Sequence, residues 1–360
     1  GGCLAGFVTN IAVTSQTAVA AAVGPILVPL MLAAGYPAVI AGATLVLGCS
    51  GGGSLYNPGD ADLVAIHESS QAPMRLAMGA MFWPLLGGFV TAVTIFAATA
   101  RRKTDLTGEA ASGWTGSKAD DTEVAPPSDP ALGKNSGASP AASAEVGSSA
   151  RWKALLPPLP MLMIFLMMPG LVFTTPPAPF EKGLPVLHAM ILSTMVVLLL
   201  CRREVTQSAK AFFEGMGYAY AHIISLVVTA SCFIAGMTAV GLTDRLVSLV
   251  SGAGVGSKVA AGFFPGLLGV ISGSGIGPSV AFSKAVLPAL RDTNLPAALD
   301  LGVLAAIAAT FGRTMSPVAA VVIFSASQAG VPVTGIVRRT APPLLAGFVV
   351  TLLIVIARGR

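Results

Sequence analysis

The chain has 360 residues, 54% of them hydrophobic and only 10% charged, with a mean hydropathy of +0.79 and a formal net charge of +5. A soluble domain has about a quarter of its residues charged, so these charges cannot coat a water-facing surface of this size, and lipid must replace water over much of it. The basic excess gathers at the ends of apolar runs, which reads as membrane topology and argues against nucleic-acid binding.

The expected fold class is an all-α polytopic membrane protein. Met74–Ala100, Leu184–Cys201, Gly217–Leu242 and Pro342–Ala357 each approach the roughly 20 apolar residues that a spanning helix needs. No secretory signal peptide is visible, and none is needed if the first helices insert directly. The chain opens Gly1-Gly2-Cys3 and enters an apolar segment at once, so we expect upstream residues that this sequence lacks, an N-terminal truncation. Cys3, Cys49, Cys201 and Cys232 lie scattered in apolar segments without metal-ligand spacing and read as small buried residues.

In chain order, an apolar arm leads to a tip of small polar residues, Asn10 to Thr17, and a second apolar arm follows. Next comes a helix expected to break over Cys49–Gly59, a stretch rich in Gly and Ser that ends in Asn-Pro-Gly. Arg101 to Ala150 is rich in Gly, Ser, Ala, Pro and Asp and lacks aliphatic runs, so it reads as a disordered loop. Basic residues flank it (Arg101, Arg102 and Lys103 before, Arg151 and Lys153 after), placing it in the cytoplasm by the positive-inside rule. Scaffold helices follow, turning at Pro176–Gly183. A short amphipathic stretch holding Lys210 then leads to a second arm–tip–arm unit with its tip at Ser272–Ser279. A second break is expected over Thr310–Pro317. The division is thus residues 1–103 as a first transport repeat, 104–150 as loop, 151–215 as scaffold and linker, and 216–360 as a second transport repeat.

The two outer blocks match without a gap. Ser15 pairs with Ser274, Pro29 with Pro288, Pro37 with Pro296, Gly53 with Gly312 and Pro58 with Pro317, all 259 positions apart. Pro and Gly fix backbone shape, so the shared register marks a duplication of backbone geometry. The arms are short for full spans and read as re-entrant hairpins. The orientation trace sends the first hairpin in from the cytoplasm and the second from outside, which makes the repeat inverted. Paired interruptions in two halves point to a transporter site, because the backbone groups they free must face protein or water.

Half-helix N-termini offer N–H donors and partial positive charge, which suit anions, and Pro278 and Pro317 sit where new half-helices should start. Arg313 lies inside the second break. It either grips a substrate carboxylate with its planar fork or neutralises Asp60, Asp62 or Asp300. Ser15, Thr17, Asn57, Ser274 and Ser316 offer neutral donors and acceptors, or else cap local backbone. With freed carbonyls at Gly51, Gly53, Thr310 and Gly312 they suit a coupling Na+. Neither break shows a clear acidic residue of its own, and a coupling H+ would look to His67 and Glu68. Lys284 reads as a side chain reaching to the membrane surface. No HExxH and no Ser–His pairing supports an intramembrane enzyme. A channel is the other rival, and saturable counterflow separates it from a carrier.

The stretch from Gly35 through Pro58, with AGATLVLGCSGGGSLYNPGDADLV, resembles the DcuC family of anaerobic C4-dicarboxylate carriers, as does FGRTMSPVAAVVIFSASQAGVPVTGIVRRTAPPLL near the end. The likeness covers nearly the whole chain outside Arg101–Ala150; GRTMSPVAA and NPG are its most specific parts. It implies an ion-transporter-superfamily fold with two inverted repeats, each holding a re-entrant hairpin and a broken transmembrane helix. It also implies a homodimer in the bacterial inner membrane, elevator-like motion and cation-coupled transport of succinate, fumarate or malate. By position, the implied site is Ser15 and Thr17 at tip one, Ser54 and Asn57 at break one, Ser274 and Ser279 at tip two, and Arg313, Thr314 and Ser316 at break two. Citrate, gluconate, lactate or a basic amino acid remain alternative substrates.

Overall fold

The computed structural model describes residues 1–100, 159–167, 184–200, 205–220 and 254–358, with isolated positions between 221 and 253. The 104–150 loop, the Pro176–Gly183 turn and most of the Gly217–Leu242 span lie outside them. Every regular element among the described residues is helical. Five form a first set: α1 (Gly2–Ala12), α2 (Gln16–Ala33), α3 (Ala38–Gly48), α4 (Ala61–Ser70) and α5 (Met74–Thr99). Between the sets come α6 (Leu159–Leu166), α7 (Val186–Leu200) and α8 (Val205–Ala219). The second set is α9 (Val255–Ser272), α10 (Ile276–Leu290), α11 (Leu295–Thr314), α12 (Ala320–Ala329) and α13 (Val333–Arg358). Of these, α2, α5, α9, α11 and α13 are long and apolar enough to cross a membrane.

The helix bounds repeat as the prolines do. Adding 259 to Ala61–Ser70 gives Ala320–Ala329, and adding it to Met74–Thr99 gives Val333–Arg358. Local chemistry sets these starts. The Ser15 hydroxyl accepts from Ala18 N (3.3 Å) at the head of α2, Asp60 Oδ2 from Leu63 N (3.3 Å) at α4, and Asn294 Oδ1 from Ala297 N (3.1 Å) at α11, each satisfying a first-turn N–H. Gly273 (φ 68°) and Gly330 (φ 63°) end α9 and α12 in the left-handed region that glycine adopts freely.

The helices pack through small residues and turn large apolar ones outward. On α9, Ala261, Gly262, Pro265 and Gly269 are buried, while Phe263, Phe264, Leu267, Leu268 and Ile271 are exposed. That distribution suits a lipid solvent, in which helices associate by close backbone approach. At the centre lies α11, buried over 78% of its apolar window. It rests against α9, where a Cβ on Gly269 would stand 2.6 Å from Ala309 O. One contiguous apolar core joins both sets. Ile164, Leu184 and Ala189 form a separate cluster under α6 and α7. On α8, Phe212, Phe213 and Met216 are exposed, and Lys210 pairs with Glu214 at 3.8 Å.

The two sets exchange partners: α4 packs on α10, and its counterpart α12 packs on α2, the counterpart of α10. The two long helices cross antiparallel. Arg358 Nη1 donates to Ala80 O (2.7 Å) and Thr351 Oγ1 donates to Pro84 O (3.0 Å). Further along, a Cβ on Gly88 would meet Gly347 O at 2.9 Å, and one on Gly347 would meet Ala92 Cβ at 3.2 Å. Gly88 and Gly347 are themselves 259 apart, so the crossing brings one repeat position onto its own counterpart.

Candidate functional site

The first interruption runs from Cys49 to Asp60, as the composition suggests. Gly51 turns the chain at φ 82°, a short 3-10 turn spans Gly52–Ser54, and Tyr56 holds φ 55°. Asn57 braces the loop from within: its Nδ2 donates to Gly53 O (2.9 Å) and its Oδ1 accepts from Gly59 N (3.0 Å). Asn10, 1% exposed, ties tip one to this loop, donating to Val13 O (2.9 Å) and accepting from Gly53 N (2.8 Å).

The second interruption is shorter than expected and starts later. Thr310, Phe311, Gly312, Arg313 and Thr314 are all helical, and the break is Met315–Ala319. Gly312 does not end the helix; it lets α9 approach, since a Cβ there would overlap Gly266. Pro317 lies within the break and does not start a helix, whereas Pro278 does fall in the first turn of α10. Ser316 is buried and its hydroxyl accepts from Val318 N (3.3 Å).

Two side-chain contacts join the halves at the interruptions. Thr314 Oγ1 donates to Ser50 Oγ at 3.1 Å, with both residues at most 1% exposed. Ser279 Oγ, from the first turn of α10, donates to Asp62 Oδ1, from the first turn of α4. The Ser54 hydroxyl reaches the Asp60 carboxylate. Both Asp60 and Asp62 lie near enough to act electrostatically on Arg313, yet neither closes an ion pair with it, and Arg313 Nε is buried without a hydrogen-bond partner. The tip of hairpin two lies against that guanidinium: a Cβ on Gly275 would sit 3.3 Å from Arg313 Nε.

The structure therefore brings Ser279, Arg313 and Thr314 together with Asp60, Asp62, Ser50 and Ser54. Ser15 is exposed and caps its own helix, and Thr17 is half-buried in the first turn of that helix. Ser274 accepts from Gly277 N at 3.4 Å. The carbonyls of Gly53, Thr310 and Gly312 already accept, from Asn57 Nδ2 (2.9 Å), Thr314 Oγ1 (2.8 Å) and Met315 N (3.1 Å). Gly51 is buried at the left-handed turn. Asp300 pairs with Lys258 at 2.9 Å, which removes it as a partner of Arg313.

The sequence reading takes Asp62 only as a possible counter-charge to Arg313 and gives Ser50 and Asn10 no individual role. The signal for Asp62 was present: two carboxylates in Gly-Asp-Ala-Asp, within an apolar block, must face a polar interior. This corrects the expectation that no acidic residue attends the breaks.

The profile of a family described as "C4-dicarboxylate anaerobic carrier", DcuC, matches residues 127–359. A putative uncharacterized transporter from Haemophilus influenzae is 31% identical over 198 residues, covering 53% of this chain and 68% of that protein. The anaerobic C4-dicarboxylate transporter DcuC of Escherichia coli K12 is 29% identical over 154 residues, 42% of this chain and 33% of that protein. A probable anaerobic C4-dicarboxylate transporter DcuC from Vibrio cholerae is 27% identical over 217 residues, 58% of this chain and 46% of that protein. The matches with the two proteins named DcuC thus span less than half of their length.

Proposed function

The chain belongs to the DcuC family, and from that membership we propose that it is a secondary carrier moving a C4-dicarboxylate such as succinate, fumarate or malate, with Arg313 gripping one substrate carboxylate. The family is one of transporters and not of enzymes, and the apolar helices fit a multi-pass membrane protein.

The observation that carries the reading is Arg313 itself. A guanidinium at membrane depth is costly unless paired, and this one keeps a buried Nε with no partner beside the tip of hairpin two. A substrate carboxylate supplies the missing acceptors. Ser279, Thr314, Ser316 and Ser54 serve as neutral donors around it, Asn57 holds the loop, and Ser15, Thr17 and Ser274 line the hairpin tips.

Inverted repeats support alternating access in this reading. A two-fold relation that maps α5 onto an antiparallel α13 has its axis perpendicular to both helices. If the helices cross the bilayer, that axis lies in the membrane plane, so the halves enter from opposite faces with re-entrant hairpins meeting near the midplane. Elevator motion, a homodimer and a bacterial inner-membrane location follow from the family resemblance.

One observation favours a second reading. Two carboxylates beside one arginine suit a substrate that bears an ammonium as well as a carboxylate, as a basic amino acid does. Counterflow in proteoliposomes decides between them: saturable exchange of labelled succinate is expected, with arginine inert. Arg313→Gln should lower succinate exchange at least about 30-fold, corresponding to about 2 kcal/mol for a desolvated charge contact. Exchange of arginine alone selects the second reading, and normal succinate exchange by Arg313→Gln removes this residue from the site.

A further inference from the structure

We propose that Asp60 and Asp62 take up the protons that accompany the substrate, so that the coupling ion is carried on the first repeat while Arg313 of the second holds the anion. The inference rests on the carrier reading above and adds where the compensating charge resides.

The argument is a count of charge. Around the interruptions stand one cation, Arg313, and two carboxylates, Asp60 and Asp62. The other charged groups on the elements packed against α4 do not redress the balance. On α11, Asp300 is spent on Lys258, whose Nζ also donates to Val355 O at 2.8 Å. Arg75 stands at the start of α5, and α10 carries Lys284, which closes no ion pair among the described residues. On α4 itself, His67 Nδ1 lies 2.6 Å from Ala72 O, and Glu68 is exposed at the helix end. The site is therefore short of positive charge before any substrate arrives. A dicarboxylate brings two more negative charges, and their mutual repulsion grows as water is excluded. Positive charge must enter with it.

The oxygens on hand suit protons better than sodium. A bound Na+ needs several oxygens at once, and the carbonyls of Gly53, Thr310 and Gly312 would have to share themselves with the hydrogen bonds they already accept. The two carboxylates keep capacity in reserve. Asp62 holds Ser279 on Oδ1 and makes no hydrogen bond through Oδ2 among the described residues. Asp60 holds Leu63 N on Oδ2, and Ser54 lies beside it. Arg313 adds an independent mark of a missing ligand, since its buried Nε meets neither carboxylate. In the cycle, each carboxylate takes one proton from the aqueous side on which the substrate enters and returns it on the other side. Because Asp62 also anchors Ser279 at the head of hairpin two, its protonation reaches the element that covers the substrate.

The test uses the full chain in proteoliposomes, comparing labelled-succinate accumulation driven by a pH gradient with exchange at equal pH. In the wild type, accumulation follows the pH gradient, is indifferent to a sodium gradient, and shifts external pH as substrate enters. The ratio of pH-driven accumulation to exchange should fall at least about tenfold in Asp62→Asn and Asp60→Asn, while Asp62→Glu, which keeps the carboxyl, restores it. Accumulation driven by sodium alone, or an unchanged ratio in both Asn variants, overturns the proposal. If wild type exchanges another labelled solute and not succinate, the substrate reading fails, and the same ratio measured with that solute decides the proton assignment. A substrate-free readout guards against inactive variants: the infrared carboxylic-acid band of the wild type should lose a pH-dependent component in Asp60→Asn/Asp62→Asn. Identical infrared titrations of the two proteins would also overturn the assignment.

Discussion

Asn10 shows how much one buried amide can hold. It is 1% exposed and uses both ends of its side chain, one on Val13 O and one on Gly53 N, so it fixes the first hairpin tip to the first interruption. Asn10→Leu keeps the branched shape but leaves a buried N–H without an acceptor, a loss of about 1–3 kcal/mol. Thermal unfolding of the detergent-solubilised protein should show the drop, and Asn10→Asp, which keeps the acceptor, should recover part of it. Thr314 acts differently. Its hydroxyl lies 3.1 Å from Ser50 Oγ across the halves and 2.8 Å from Thr310 O in its own helix, and its one proton is shared between them. Thr314→Val should therefore cost only about 1 kcal/mol in the same measurement. A loss several times larger would mean that the cross-link between the interruptions dominates its role.

At the scale of elements, much of the arrangement is legible in the sequence because Pro and Gly announce it. The Gly51-Gly52-Gly53 run and Asn57-Pro58-Gly59 mark the first interruption where the structure has it. The second is misplaced by a few residues for a physical reason. Gly312 reads as a helix breaker, but its missing side chain serves the contact with Gly266 on α9, and the helix continues to Thr314. A sequence shows that a glycine is required and does not show whether backbone angle or a close neighbour requires it. The contact of Asp62 with Ser279 is hidden for another reason: the two are 217 residues apart, and no local pattern joins them. The same close approach yields a prediction. Gly269→Val would place a Cβ 2.6 Å from Ala309 O and 3.2 Å from Arg313 N, prising α9 from the turn that carries Arg313. Substrate affinity should fall together with stability, read as a raised half-saturation for exchange and an earlier unfolding midpoint. Gly256→Ala, with open space around its Cβ, should leave both unchanged.

For the molecule as a whole, the proposed inversion of the two sets makes a claim about sidedness. Glu68 and Ser327 are counterparts at the 259-residue offset, both exposed near the ends of equivalent helices α4 and α12. In a background with the four native cysteines replaced, Glu68→Cys and Ser327→Cys should react with a membrane-impermeant maleimide from opposite faces of the vesicle. Labelling of both from one face would refute the inversion.

The Gly88–Gly347 crossing has a consequence of its own. In the proposed duplication, the two sides of this contact are the same part used twice, and each main chain is the wall against which the other is measured. Enlarging either glycine pushes on its twin, so Gly88→Ala and Gly347→Ala should injure the fold to a similar degree although they lie in different halves of the gene product. This seam can therefore be eased only by moving both halves apart together.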